Sequence, residues 1–412
     1  MDGQRYDLII GGGSFVGMAL ACGLAKSAPG GFRIAVVERM PAAEARAGAF
    51  DGRSVALTAA ARQMLEALGV WPGISADAQP VMAMDITDSQ LDFPIRSVLL
   101  NFDAQQSGDE PSAFIVENAI LRRALYAAAE GLPDITLIAP ETVAGIELGE
   151  ASAAVTLGSG GTLITNLLVA ADGQRSALRR MAGFKIVEWT SDQAAITGTI
   201  AHEKPHEGCA MQHFLPSGPF AMLPMVRGRS SIVWTERADD ARRIIASGEA
   251  EMLAEIDKRI GGALGRISLA GKLSAFPLSM TLSRGFVKPR IALAGDAAHG
   301  LHWIAGQGLN HGLKDAAALT EVLVDAARLG LDPGDLTVLE RYERWRRFDS
   351  ASSAMSAAAL NRLFANDNML LRMARQFGLG VVDRLPGLKR FFMREAAGLT
   401  GELPKLLKGE LA

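Results

Sequence analysis

Residues 6–17 read YDLIIGGGSFVG, and this stretch decides the fold class. The apolar run YDLII is typical of a buried strand, the glycines favour a tight turn, and the segment that begins at Ser14 has the composition of a helix. A second apolar run, FRIAVVER at 32–39, predicts another strand. Strand, helix and strand in this order predict a parallel sheet covered by helices, which is the α/β class with a Rossmann-like domain.

The glycine turn has the spacing of a dinucleotide-binding loop. In the register Gly12, Ser14, Gly17 the first residue allows the bend, the second lets the backbone approach a pyrophosphate, and the third lets the helix pack closely on the strand. Ser14 stands in this register where a glycine is usual. Glu38 ends the second strand, where a carboxylate can accept both hydroxyls of an adenosine ribose. The alternative is an ordinary strand-to-helix turn beside a solvated acid.

Composition sets limits on the class of protein. A chain of 412 residues predicts two joined domains, and a formal net charge of -3 gives no reason to expect nucleic-acid binding. Cys22 and Cys209 are the only cysteines, so we expect neither a disulfide framework nor a metal site. With no apolar run long enough to span a membrane and no signal-like N-terminus, the sequence predicts a cytoplasmic protein.

The order of strand-like and helix-like segments along the sequence predicts that the nucleotide-binding domain is discontinuous. We expect residues 52–69 to be helical and residues 114–130 to form a strand that runs into a helix, whereas most of 186–286 has short β-like runs. The predicted divisions are a nucleotide-binding domain at 1–75, 106–185 and 287–345, a β-rich substrate domain at 76–105 and 186–286, and a helical C-terminal region at 346–412.

Two further motifs follow apolar strands. The first is VAADGQRSALRR at 169–180, where Asp172 ends a strand; the alternative is a plain Asp-Gly turn followed by Ser176 as a helix cap. The second is GDAAHGLHWIAGQGLNHGLKD at 295–315, where Asp296 can bind a polyol hydroxyl. The glycines allow close backbone approach, and the free N–H groups at the following helix start suit an acceptor that becomes negative. The alternative is a glycine-rich turn with capping side chains.

Together the three motifs resemble the flavoprotein aromatic hydroxylases of the p-hydroxybenzoate hydroxylase type. Less specific segments, such as DGRSVAL at 51–57 and REAAGLTGELPKLLKGE near the C-terminus, are most similar to the ubiquinone-biosynthesis (UbiH-like) hydroxylases. The resemblance implies a bound FAD, NAD(P)H as co-substrate, and a ring hydroxylation that uses dioxygen. The cofactor-binding residues that it implies are Gly12, Ser14, Gly17, Glu38, Arg39, Arg53, Asn118, Asp172, Asp296, Gly308, Leu309 and Asn310.

Several roles follow from the resemblance. Arg53 is expected near the phosphates or the ribityl chain, and Asn118 stands where many relatives have an arginine. Leu309 and Asn310 are expected to offer backbone N–H groups to the flavin ring. His302 and Trp303 are the candidates for the substrate pocket, with the flavin itself as the catalyst; Trp303 replaces a proline of the family pattern.

The substrate class and the partners are also expectations. The resemblance implies a lipophilic, polyprenylated phenol, and residues 371–412 carry eight Lys/Arg against four Asp/Glu. This basic balance suits an anionic membrane surface, and so a peripheral position on the inner membrane, or a partner in a biosynthetic complex. The alternative is a docking helix with a solvated basic face. Two other functions remain open: hydroxylation of a small soluble aromatic, and a non-catalytic flavin-binding role.

Overall fold

The fold is taken from a computed structural model, which describes residues 3–88, 98–103, 110–300, 308–349 and 386–412. In chain order the strands are Gln4–Gly11 (β1), Ile34–Val37 (β2), Ser54–Thr58 (β3), Gln79–Pro80 (β4), Ala83–Asp88 (β5), Val98–Asp103 (β6), Ala113–Glu117 (β7), Ile135–Ile138 (β8), Val143–Leu148 (β9), Ala153–Leu157 (β10), Thr162–Ala170 (β11), Ile186–His202 (β12), Cys209–Leu215 (β13), Gly218–Met225 (β14), Arg229–Arg237 (β15), Ile267–Leu269 (β16), Ser274–Ser283 (β17), Val287–Lys288 (β18), Ile291–Leu293 (β19) and His299–Gly300 (β20). The helices are Phe15–Ser27 (α1), Ala42–Ala47 (α2), Ala59–Ala67 (α3), Asn118–Glu130 (α4), Ala177–Met181 (α5), Ala238–Ala246 (α6), Glu249–Ile260 (α7), Gly308–Arg328 (α8), 336–349 (α9) and Pro386–Ala396 (α10).

An eight-stranded sheet confirms the predicted α/β class. Its path is β18-β19-β11-β1-β2-β8, with β10 and β9 added beside β11. β1 lies between β11 and β2 and is parallel to both, so that Leu8 faces Leu167 on one side and Ile34 on the other. Leu8, Ile9 and Ile10 are fully buried, as expected of a parallel strand that is covered on both faces. The carboxyl ends of β1, β2, β11 and β19 therefore meet at one edge.

A three-stranded sheet, β3-β7-β4, corrects one prediction. Residues 52–69 were expected to be helical throughout, but Ser54–Thr58 form a strand that pairs with Ala113–Glu117. The run Ser-Val-Ala-Leu-Thr alternates and contains β-branched residues, so pairing with a distant strand outweighs its helical spacing. The helix begins only at Ala59, after Thr58, whose hydroxyl accepts the N–H of Ala61.

A nine-stranded sheet holds most of the remaining strands. Its path is β20-β17-β12-β15-β14-β13-β5-β6, and β16 pairs with β12. β5 and β6 therefore join strands that follow about 100 residues later in the chain. A separate apolar cluster around Phe220, Ile232 and Trp234 packs between this sheet and the helices α6 and α7. The exact boundaries of the domains stay a prediction.

The last residues of the chain pack on the first sheet's helices. Leu406 and Leu407 are buried in the same core cluster as β1 and α8. The backbone N–H of Ala412 donates to Ser27 Oγ at 3.1 Å, and Arg328 donates to the Ala412 carbonyl at 2.8 Å. Among the helices of the described chain, none combines the length and the apolar character that crossing a bilayer requires.

Candidate functional site

The glycine turn joins β1 to α1, and its glycines let it pack closely against neighbouring backbone. Gly12 has φ +106°, and a Cβ there would lie 2.4 Å from the Ala171 carbonyl oxygen. A Cβ on Gly17 would lie 1.9 Å from the Gly12 carbonyl oxygen. Ser14 is the N-cap of α1 and is exposed, and its hydroxyl makes no capping bond within the described chain. The first N–H groups of a helix have no partner inside the helix, so the start of α1 and the exposed Ser14 hydroxyl suit an anion.

Glu38 is placed against this turn by the end of β2. Its Oε2 accepts the N–H of Gly13 at 2.6 Å, and its Oε1 accepts the N–H of Met40 at 2.8 Å. Each carboxylate oxygen has a second lone pair, so both remain able to accept a ribose hydroxyl. The carboxylate therefore fixes the loop and is also available to a nucleotide.

A cavity of about 700 Å³ lies over the turn. Its wall contains Gly12, Ser14, Glu38, Arg39 and Asp172 among the predicted cofactor-binding residues. Among the wall residues that sequence reasoning missed are three arginines and a tyrosine that no local spacing marks: Arg122, Tyr126, Arg175 and Arg180. Together with Arg39, these three arginines surround the cavity with four guanidinium groups, which suit a ligand with two phosphates.

Tyr126 remains a neutral phenol in this wall. Burial, with the Glu38 carboxylate in second place, raises the pKa of Tyr126 to about 12. The hydroxyl can therefore donate a hydrogen bond to a ligand at neutral pH.

Asp172 also builds the turn that it follows. Its carboxylate accepts the Ser176 hydroxyl at 2.5 Å and the N–H of Ala177 at 2.7 Å. Ser176 in turn caps α5 by accepting the N–H of Arg179 at 2.9 Å, which confirms the capping interpretation of this serine. Asp172 thus lies in the cavity wall while it holds the start of α5.

Arg179 links the second motif to the third, and sequence reasoning missed it as well. It is 4% exposed, and its guanidinium donates to the carbonyls of Gln174 and Ala297, each at 2.8 Å. The two motifs are therefore held together by one buried side chain.

The third motif brings Asp296 to the start of α8. A Cβ on Gly308 would lie 3.9 Å from Asp296 Oδ1. Asp296 is exposed along one side, yet burial of its carboxylate by the surrounding protein raises its pKa above the ordinary value. Leu309 and Asn310 occupy the first turn of α8, where backbone N–H groups have no partner within the helix. Residues 301–307, which include His302 and Trp303, lie outside the described chain, so their predicted role stays a prediction.

The side chain of Asn310 is committed to β3. Its Oδ1 accepts the N–H of Thr58 at 3.0 Å, and its Nδ2 donates to the Ala56 carbonyl at 2.8 Å. This contact leaves only the backbone of Asn310 for a cofactor, as the resemblance implies.

Arg53 and Asn118 lie near each other but not in the cavity wall. Arg53 pairs with Asp51 at 2.7 Å, and its carbonyl accepts the N–H of Asn118 at 3.1 Å. Asn118 is 9% exposed, and its Oδ1 is buried without a partner in the part of the chain that the structure describes. An unsatisfied buried acceptor suits a ligand that carries hydroxyl or N–H donors. The role predicted for Arg53 in phosphate binding stays a prediction, since Asp51 holds its guanidinium here.

A charged cluster, defined by Asp315, His299, Arg346, Asp349 and His311, joins three residues of the third motif to α9. Asp315, His299 and Arg346 are buried, and His311 and Asp349 are half-buried. Asp315 Oδ2 accepts from His299 Nε2 at 2.6 Å, and Oδ1 accepts from Arg346 Nε at 2.7 Å. Burial would raise the pKa of Asp315, but His299 and Arg346 outweigh it and lower the pKa to about 2. Burial, and then the charges of His299 and Arg346, lower the pKa of His311 to about 4.

His311 is expected to make the protein less stable in mild acid. Its pKa of about 4 in the folded protein is below about 6.5 in an unfolded chain, so the unfolded chain binds the extra proton as pH falls between these values. The free energy of unfolding should fall by on the order of 2 kcal/mol between about pH 7 and pH 4.5 because of this group. Equilibrium urea unfolding of the wild type and of His311→Asn measures it. The variant should have the flatter pH dependence; equal slopes would contradict the assignment.

The site as a whole fits FAD. The glycine turn and the arginines suit the pyrophosphate, Glu38 suits the adenosine ribose, and Asp296 suits a ribityl hydroxyl. These groups lie along the edge where the parallel strands end, which is where such sheets bind nucleotides.

Comparison with known proteins identifies the family. The FAD binding domain family matches residues 5–354. The chain is 39% identical over 406 residues to the ubiquinone hydroxylase UbiL of Rhodospirillum rubrum, covering 98% of this chain and 92% of that protein. It is 32% identical to the 3-demethoxyubiquinol 3-hydroxylase of Escherichia coli, covering 97% of this chain and 100% of the relative.

A solved structure shares the fold. The p-nitrophenol 4-monooxygenase PnpA of Pseudomonas putida superposes with a TM-score of 0.79 at 19% identity, covering 98% of this chain and 100% of that one. The resemblance inferred from the three motifs is thereby confirmed. The chain belongs to the FAD binding domain family and, within it, to the FAD-dependent aromatic hydroxylases of the ubiquinone-hydroxylase type.

Proposed function

We propose that the protein hydroxylates the aromatic ring of a polyprenylated phenol in ubiquinone biosynthesis, using NAD(P)H and dioxygen. The observation that carries this proposal is the 39% identity to a ubiquinone hydroxylase along almost the entire chain. The support from the site is a cradle that suits FAD. When bound, FAD would supply the transfer of two electrons from NAD(P)H to dioxygen, so that one oxygen atom becomes the ring hydroxyl and the other leaves as water.

The residues of this chain bind and orient the cofactor. The Gly12 turn, α1 and the arginines of the cavity would neutralise the pyrophosphate. Glu38 would accept hydrogen bonds from the ribose hydroxyls of FAD, and Asp296 would accept them from the ribityl hydroxyls. The N–H groups of Leu309 and Asn310 would hold the pyrimidine end of the flavin and would stabilise negative charge there. Oriented donors of this kind stabilise charge without reorganising during the reaction.

Substrate access and water exclusion fall to the residues around His302 and Trp303 in this proposal. A closed, dry pocket favours transfer of oxygen to the ring over wasteful release of hydrogen peroxide.

The experiment that tests the function is a gene deletion followed by mass spectrometry of quinone intermediates. We expect an accumulated precursor that lacks one ring hydroxyl, and restoration of the quinone when the gene returns. The purified protein should be yellow and should oxidise NAD(P)H faster when a phenol with a prenyl tail is added. A normal quinone profile, with rapid hydroxylation of a tail-less phenol, would favour the small-aromatic alternative. Bound flavin that NAD(P)H cannot reduce would favour the non-catalytic one.

We also propose that the protein works at the cytoplasmic face of the inner membrane, where such a substrate resides. Arg390 and Arg394 on α10 are exposed, and cations near an anionic leaflet contribute about 1 kcal/mol each to binding. Co-sedimentation with vesicles tests this. Wild-type protein that pellets with phosphatidylglycerol vesicles, and an Arg390→Glu/Arg394→Glu variant that does not, would support the proposal. Equal amounts of wild-type protein in the pellet with and without vesicles would contradict it.

A further inference from the structure

The turn that presents Asp296 is held on both sides by buried side chains from other elements. Before Asp296, the N–H of Gly295 donates to Asp315 Oδ2 at 2.8 Å. After it, Ala297 accepts from the Arg179 guanidinium, and His299 donates to the same Asp315 oxygen at 2.6 Å. The backbone on both sides of Asp296 is therefore fixed, while the Asp296 side chain is exposed.

Asp315 belongs to α8, the helix whose N-terminus is assigned to the flavin ring. It lies two turns into α8, whose first turn contains Leu309 and Asn310. A single carboxylate therefore connects the helix start to the Gly295–His299 turn. These are the two parts of the chain assigned to the flavin ring and to the ribityl chain.

The way in which Asp315 is buried argues for a positioning role. Asp315 is 0% exposed, and its partner Arg346 is 1% exposed. Arg346 also donates to Asp349 at 2.5 Å, so the charges are fully paired. Because a buried ion pair often stabilises a fold no better than apolar side chains of the same size, stability alone is a weak reason for this arrangement. Fixed geometry at a site that must match a ligand is a stronger one.

We propose that Asp315 is a positioning residue for FAD, which sets Asp296 at the correct distance from the N-terminus of α8. The inference rests on the use of FAD in the proposed function. It assigns Asp315 no contact with the cofactor, and its effect on the cofactor passes through Asp296.

The test is a double-mutant cycle on FAD affinity, measured by titrating the apoprotein with FAD and following flavin fluorescence. The variants are Asp315→Asn, Asp296→Asn and the double variant. Asp315→Asn alone should weaken FAD binding about 10-fold or more, but only about 2-fold in the Asp296→Asn background, because coupled neighbours are not additive. The midpoint potential of the bound flavin should also shift in Asp315→Asn, which a general loss of stability would not cause.

Asp332 provides a control for the same two kinds of hydrogen bond at a more open position, since its side chain is 44% exposed. Its carboxylate also accepts from an arginine, Arg290 at 2.6 Å, and from a glycine N–H, Gly334 at 2.9 Å. Asp332 lies beside the start of β19, at the opposite end of that strand from the cofactor. Asp332→Asn should leave FAD affinity within about 2-fold of wild type. Equal losses in the two Asn variants, or additive losses in the cycle, would overturn the proposal.

Two further outcomes are distinguishable. If Asp315→Asn does not fold, Asp315→Glu keeps the charge but lengthens the side chain, and should lower FAD affinity while the circular dichroism spectrum stays native. Unchanged affinity in the folded Glu variant overturns the proposal. Failure of the wild-type protein to bind FAD would instead refute the proposed function, since no substrate or turnover enters these titrations.

Discussion

Gly12→Ala is expected to weaken FAD binding strongly. Alanine is strained at φ +106°, and its Cβ would lie 2.4 Å from the Ala171 carbonyl oxygen. The turn must therefore open, which displaces the N–H groups that face the pyrophosphate. We expect an affinity loss of about 100-fold or more, equivalent to about 2.7 kcal/mol. Fluorescence titration of the apoprotein with FAD measures the loss.

Gly160→Ala is the control for the backbone strain. Gly160 has φ +94°, close to that of Gly12, but it lies in the turn between β10 and β11, where a Cβ would meet no atom within 4 Å. This variant should lose about 1 kcal/mol of stability and keep its FAD affinity. If Gly12→Ala bound FAD as tightly as Gly160→Ala, the glycine turn would not be the pyrophosphate site.

Glu236→Ala is expected to destabilise the nine-stranded sheet strongly. Glu236 Oε2 accepts from Arg259 at 3.1 Å and from Trp234 Nε1 at 3.2 Å. Both charged residues are buried, with 5% of Glu236 and 3% of Arg259 exposed. The Arg259 guanidinium lies 3.8 Å from the centre of the Trp234 ring. Glu236→Ala leaves the buried Arg259 with one carboxylate partner, Glu255 at 2.6 Å, so the expected loss is about 1.5–3 kcal/mol, below that of breaking an isolated buried pair. Urea unfolding followed by tryptophan fluorescence measures this loss.

An exposed ion pair in the same region supplies the comparison. Glu203 lies 3.4 Å from Arg266, and the two side chains are 56% and 92% exposed. Glu203→Ala should change the free energy of unfolding by about 0.5 kcal/mol or less. The double variant Glu236→Leu/Arg259→Met should recover much of the stability, because the one carboxylate that loses its partner, Glu255, is 33% exposed and can be hydrated. A single-variant loss as small as that of Glu203→Ala would show that the buried pair is not needed.

The residues that sequence reasoning found are those whose chemistry is constrained locally. Gly12 and Gly17 must be glycine because the backbone beside them leaves no room for a Cβ. Asp172 and Asp296 each follow a buried strand of the parallel sheet, so their position at its carboxyl edge follows from the strand pattern. The fold class follows from the same local alternation of strand and helix.

The residues that it missed depend on contacts between distant parts of the chain. Arg179 and Asp315 look like ordinary charged positions on helices, and only the folded chain buries them against the Gly295–His299 turn. Ser54–Thr58 were wrongly predicted as helix for a related reason, since their partner strand begins only at Ala113. Pairing over such separations leaves no signal within a short window of sequence.

The order of strands in the first sheet has a consequence for biosynthesis. Gly12 leaves the ribosome early, whereas Asp296, β19 and the start of α8 are made about 280 residues later, which at cellular rates of synthesis is roughly 15–60 s. Until then the carboxyl-terminal part of β11, which pairs with β19 from Leu168 to Ala170, lacks that neighbour, and only half of the nucleotide cradle exists. Tight capture of FAD is therefore expected only after the synthesis of Asp296 and the start of α8, and a shortage of the cofactor would affect a chain in which all strands of the first sheet have already been made.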